Sequence, residues 1–115
     1  MPLVNLLNTN FQAHISITRR LLTTSANTLL SGNGFHKVNS LIATTNATVS
    51  LSVTVLAGSS ASLIFRQGGI PANSIIRICD INNPLNLQDN ATLVAVADVG
   101  SACELYLQAD QYLTT

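Results

Sequence analysis

Charge is scarce in this chain. Five basic and five acidic residues among 115 make 9% of the sequence, with a formal net charge of +0. An ordinary soluble domain carries roughly 25% charged residues. A small monomer uses a mixed, charged surface to stay apart from its copies. A chain without one suits a place among neighbours, so the sequence reads as part of an assembly before it reads as an enzyme.

Aromatic residues are equally few. There is no tryptophan, and phenylalanine and tyrosine together make 4%. A core of Val, Ile, Leu and Ala follows. The stacking platforms of single-strand nucleic-acid binders need aromatic rings along a basic groove. With a pI near 6.7 and Arg19-Arg20 as the one paired basic site, nucleic-acid binding is not expected.

Two cysteines, Cys79 and Cys103, stand far apart and outside any CxxC pair. Neither His14 nor His36 lies near them in sequence. Structural zinc wants clustered Cys/His ligands, so no metal is expected, and the thiols read as buried and free. No apolar run approaches the 18 residues of a membrane span. The segment Met1-Pro2-Leu3-Val4-Asn5-Leu6-Leu7 has no basic start and does not read as a secretory signal.

What is present is alternation. In Val49-Ser50-Leu51-Ser52-Val53-Thr54-Val55 the aliphatic residues fall on one face and the hydroxyls on the other. Period two with β-branched side chains is the mark of a half-buried strand. Val49, Leu51, Val53 and Val55 are therefore the expected core face. Further strands are expected over 11–23, 35–44, 61–67, 74–79, 92–98 and 103–112. Gly58-Ser59-Ser60 and Val99-Gly100-Ser101 are hairpin signals between them. Pro84 marks a break or an edge. Ser25–Leu30 reads as a short helix or a strand.

Seven or eight short strands without a helical period predict an all-β, single-domain antiparallel β-sandwich of Greek-key or jelly-roll type. Residues 1–10 read as an N-terminal arm on a sandwich of residues 11–115. Its apolar Leu3, Val4, Leu6 and Leu7, with Phe11 and a polar rim of Arg19 or Arg20, are the candidate interface residues.

No catalytic constellation accompanies this fold. There is no GxSxG elbow, Walker loop or HExxH motif. The acids, Asp80, Asp89, Asp98, Glu104 and Asp110, are single and all follow the last basic residue, Arg77. No enzyme activity and no cofactor are expected. His36-Lys37 opens a strand beside Gly34, where it could touch a ligand. The split between basic and acidic halves has two readings: complementary patches between subunits, or chance among ten charges.

The second half carries a resemblance. Phe35-His36-Lys37-Val38-Asn39-Ser40-Leu41-Ile42 leads into the Val49–Val55 strand. Pro71-Ala72-Asn73-Ser74, Leu87-Gln88-Asp89-Asn90-Ala91-Thr92-Leu93 and Glu104-Leu105-Tyr106-Leu107 follow in order. Over residues 35–112 the chain resembles small all-β virion structural proteins of tailed bacteriophages. Cys79, Cys103 and the apolar arm depart from the pattern.

The resemblance implies a capsid decoration, or cement, protein on the virion surface, bound to the major capsid protein. Copies of itself are the second expected partner, with a trimer the first guess because capsids offer local three-fold positions. A small tail, neck or baseplate adaptor is the alternative. From another class, a host-surface or carbohydrate-binding module is weighed against the scarcity of aromatic rings.

Overall fold

The computed structural model describes the backbone of residues 9–31, 34–88 and 90–114, and within these the side chains of residues 22–112. Nine strands are found there: β1 (Thr9–Leu21), β2 (Asn27–Leu30), β3 (Phe35–Thr45), β4 (Val49–Ala57), β5 (Ser60–Ile70), β6 (Ile75–Cys79), β7 (Leu85–Leu87), β8 (Thr92–Ala97) and β9 (Cys103–Thr114).

The strands form two antiparallel sheets. The first runs β1-β9-β3-β6, with the short β7 also paired to β3. The second runs β2-β8-β4-β5. This interleaved order is that of a double-sheet jelly roll. It puts residues from opposite ends of the chain side by side, and each sheet buries one face against the other.

The core is aliphatic, as the lack of aromatics requires. Leu22, Leu41, Leu51, Leu93, Leu105 and Leu107 are fully buried, among small alanines at 43, 95, 97 and 109. Each buried leucine contributes about 1.5–3 kcal/mol relative to exposure. The alternation of β4 holds for Val49, Leu51 and Val53, which are sealed. Val55 is on the same face and packs against the core, but it is half-buried and not sealed as expected, because β4 there approaches its exposed hairpin end. Ser25–Leu30 resolves into a strand. Asn27 anchors it, donating from Nδ2 to the Ser25 carbonyl at 2.8 Å and to that of Ala95 at 3.1 Å.

Turns are pinned by short polar residues. In the two-residue loop between β4 and β5, Gly58 has φ 62°, the positive value that the first position of a type II′ hairpin turn takes. Thr45 Oγ1 donates to the Pro71 carbonyl at 2.7 Å and accepts the Ser74 N–H at 2.9 Å. That clamp fixes the Pro71-Ala72-Asn73-Ser74 turn between the two sheets.

Thr9 and Asn10, assigned to the arm on sequence grounds, already pair with Thr114 and Leu113. The arm residues Leu3, Val4, Leu6 and Leu7 lie outside the described residues.

Candidate assembly surface

The two outer faces of the sandwich differ in charge. On the first sheet Lys37, Arg77, Glu104 and Asp110 alternate with inward-facing residues. Lys37 stands directly opposite Asp110 in the β3–β9 ladder, and Asp110 Oδ2 accepts from Asn39 Nδ2 at 3.2 Å. The basic and acidic halves of the sequence therefore meet inside one chain at this point.

The second sheet turns outward Ser50, Ser52 and Thr54 of β4, Val94 and Val96 of β8, and Leu63 and Arg66 of β5. Its described charges are Arg66 and, at the end of β8, Asp98. An open groove of about 430 Å³ runs across this end, past Ser50, Ser52, Arg66, Gln67, Val96 and Asp98. The carboxylate of Asp98 is engaged with backbone, accepting the Ser50 N–H at 2.7 Å. Hydroxyls, one guanidinium and one occupied carboxylate make no nucleophile–base pair.

Among the described residues β5 is the outermost strand of this sheet, paired on one side to β4. Of its 11 residues, Phe65 is half-buried, Ile70 is buried and the others are exposed. Leu63 is 54% exposed and Ile64 37%. Ile64 is the extra residue of a bulge, since Val53 faces Phe65 while Thr54 faces Leu63. Beyond β5, Leu56 caps the hairpin, and Ile75 and Ile81 lie 74% and 70% exposed. Isolated exposed apolar residues are ordinary. An apolar run on an unpaired strand edge is a template for another strand.

The remaining sequence candidates separate. Phe11 pairs with Tyr112 and Arg20 with Leu105, and their side chains lie outside the described residues. Arg19 falls in a register shift between Ile17 and Arg20. His36 is not at a ligand-facing surface. It is 1% exposed, on the same face of β3 as Val38, and among the described residues neither ring nitrogen has a hydrogen-bond partner. Burial lowers its pKa from the usual 6.5.

Both cysteines are buried and free. Burial, then the nearby Glu104 carboxylate, pushes the Cys103 thiol up to about 11. Burial likewise raises that of Cys79. Among the described residues no group of three His, Cys, Asp or Glu side chains could hold a metal.

Sequence reasoning did not single out β5. Its signal was the unbroken Leu63-Ile64-Phe65 between Ser60-Ala61-Ser62 and Gly68-Gly69, a run that does not alternate as a half-buried strand should.

No protein-family model matches the chain, and no curated protein sequence does. Among solved structures it is similar to the protein described in work showing that Bacillus endospore appendages form a family of disulfide-linked pili. That likeness has a TM-score of 0.55 and 10% identity, and covers 94% of this chain and 90% of that one. It is also similar to a pentameric capsid protein isolated from metagenomic phage sequences, with a TM-score of 0.45, 15% identity and 93% of this chain covered. The chain spans 62% of that capsid protein's length.

Proposed function

We propose that this chain is a structural subunit of a phage virion, a decoration protein that lies on the major capsid protein and braces joints between capsid subunits. Its role is mechanical and not catalytic. The observation that carries the reading is the second sheet, whose outer face bears two described charges and whose edge strand exposes Leu63 and Ile64. Such a surface is stable in water at low concentration and gains by being covered. Many modest contacts, repeated over a shell, supply the holding strength through avidity.

A tail or baseplate adaptor uses the same kind of surface and is the nearer alternative. A sugar-binding module needs exposed rings. Among the described aromatics Tyr106 is the exposed one, while Phe35, Phe65 and Tyr112 are half-buried.

The interface on this reading includes Leu3, Val4, Leu6 and Leu7, with Phe11 and Arg19 or Arg20 beside them. Co-sedimentation with particles that lack the protein tests it. The full chain is expected to bind to saturation. Deletion of residues 2–8 is expected to weaken binding while circular dichroism stays unchanged. A full chain that stays in the supernatant contradicts the decoration role.

A further inference from the structure

Among the described residues five strands lie at sheet edges, and they are not equivalent. β7 has three residues, β2 four and β6 five, too few to template a long partner. β1 has thirteen but carries Arg19 and Arg20, and charged edge residues discourage pairing. β5 has eleven, one charge and no proline. Its length of about 35 Å, at roughly 3.4 Å per residue, suits a full strand-to-strand contact.

We infer that β5 pairs antiparallel with β5 of a second copy, joining the two four-stranded sheets into one across a two-fold axis. The partner follows from closure and length. Pairing β5 with β1 of a neighbour joins unlike edges and closes only as a ring. Pairing β5 with itself closes at two copies and has a register that keeps the two Arg66 residues apart. If Ser60–Gly69 overlaps fully with its copy, Ile64 stands opposite Phe65 of the second copy and Arg66 stands opposite Leu63.

The two Arg66 residues then lie three positions apart, about 10 Å along the strand, which is near the screening length at physiological salt. The centre of the contact is Leu63-Ile64-Phe65 against itself, and cross-strand apolar pairs are the unit of sheet stabilisation. An edge that pairs with itself is isologous and closes at two copies. The three-fold drawn from capsid symmetry is not the geometry this edge supports.

The inference deepens the structural reading and rests on it only in taking the partner to be another copy. Its test needs no particle. Sedimentation velocity on the full chain at micromolar concentration is expected to give a dimer. Leu63→Lys puts a lysine opposite Arg66 of the other copy, twice per dimer, and is expected to raise the dissociation constant roughly tenfold or more. Leu63→Glu puts a carboxylate there and is expected to keep or tighten the dimer.

Leu63 is exposed, so both variants should melt near the wild-type temperature, which separates lost pairing from lost fold. A monomeric or trimeric wild type overturns the inference, as does a dimer indifferent to Leu63→Lys or broken equally by both variants. Those results leave the co-sedimentation outcome untouched, so failure of the dimer and failure of the decoration role are told apart.

Discussion

Ser50 and Asp98 are joined in both directions. The Ser50 N–H donates to Asp98 Oδ1 at 2.7 Å, and the Asp98 N–H donates to the Ser50 carbonyl at 3.1 Å. Ser50 Oγ in turn accepts the Gly69 N–H at 3.2 Å. Three strands, β4, β8 and the end of β5, are thereby tied at one corner of the second sheet. The clasp holds the far end of the edge strand against the sandwich.

Asp98→Ala removes the charge-assisted bond and leaves the Ser50 N–H to water. Because the site is exposed, the expected loss is about 1 kcal/mol, below the roughly 1.5–3 kcal/mol typical of bonds to charged groups. Urea unfolding of the variant checks it. An unchanged midpoint would mean that water replaces the carboxylate at no cost.

His36 gives the fold an acid sensitivity. In the cross-strand row it is flanked by Gln111 and Leu87, and Ala13 follows beyond Gln111. The charged pair Lys37 and Asp110 occupies the next row, on the outer face. Among the described residues the other buried polar side chains are Asn27 and Thr45, so no buried carboxylate faces the ring. The folded state disfavours the imidazolium, and the unfolded chain takes up the proton more readily. Stability is therefore fully present above pH 6.5, the ordinary value, and falls as the pH drops below it. His36→Leu is expected to flatten the dependence of the urea midpoint between pH 7 and pH 5, because it removes both the titration and two unsatisfied nitrogens. An equal slope in the two proteins would assign the acid sensitivity elsewhere.

The thiols are expected to be silent. With Cys103 raised to about 11 and Cys79 also raised, little thiolate forms at pH 8, and both side chains are buried. Ellman's reagent should react with neither in the folded protein and with two per chain in guanidinium. Fast reaction of the native chain would show that β6 or the start of β9 opens readily.

The sandwich was legible where alternation was strict. Val49, Leu51 and Val53 announced a strand and its buried face, and the turn residues around Gly58 set the β4–β5 hairpin. The hairpin expected at Val99-Gly100-Ser101 does not form, because β8 and β9 lie in different sheets and that turn carries the chain from one sheet to the other. Local pattern failed where pairing partners decide the outcome. β7 is three residues long and directly follows Pro84, where the sequence read a break or an edge, and it exists because β3 offers it a ladder. β5 continues through Gly68-Gly69 to Ile70, which anchors it in the core. His36 sits two residues before Val38, so its burial was readable from period two, but a polar residue at a strand start drew attention as a surface group. Nothing local could say that β5 is outermost. Strand order is set by the whole chain.

If a phage encodes this chain, as proposed, the most direct measurement is immunogold labelling of its intact particles. The account predicts gold distributed over the capsid faces of particles. Label confined to the tail tip or neck, or unlabelled particles, would contradict a decoration protein bound to the shell.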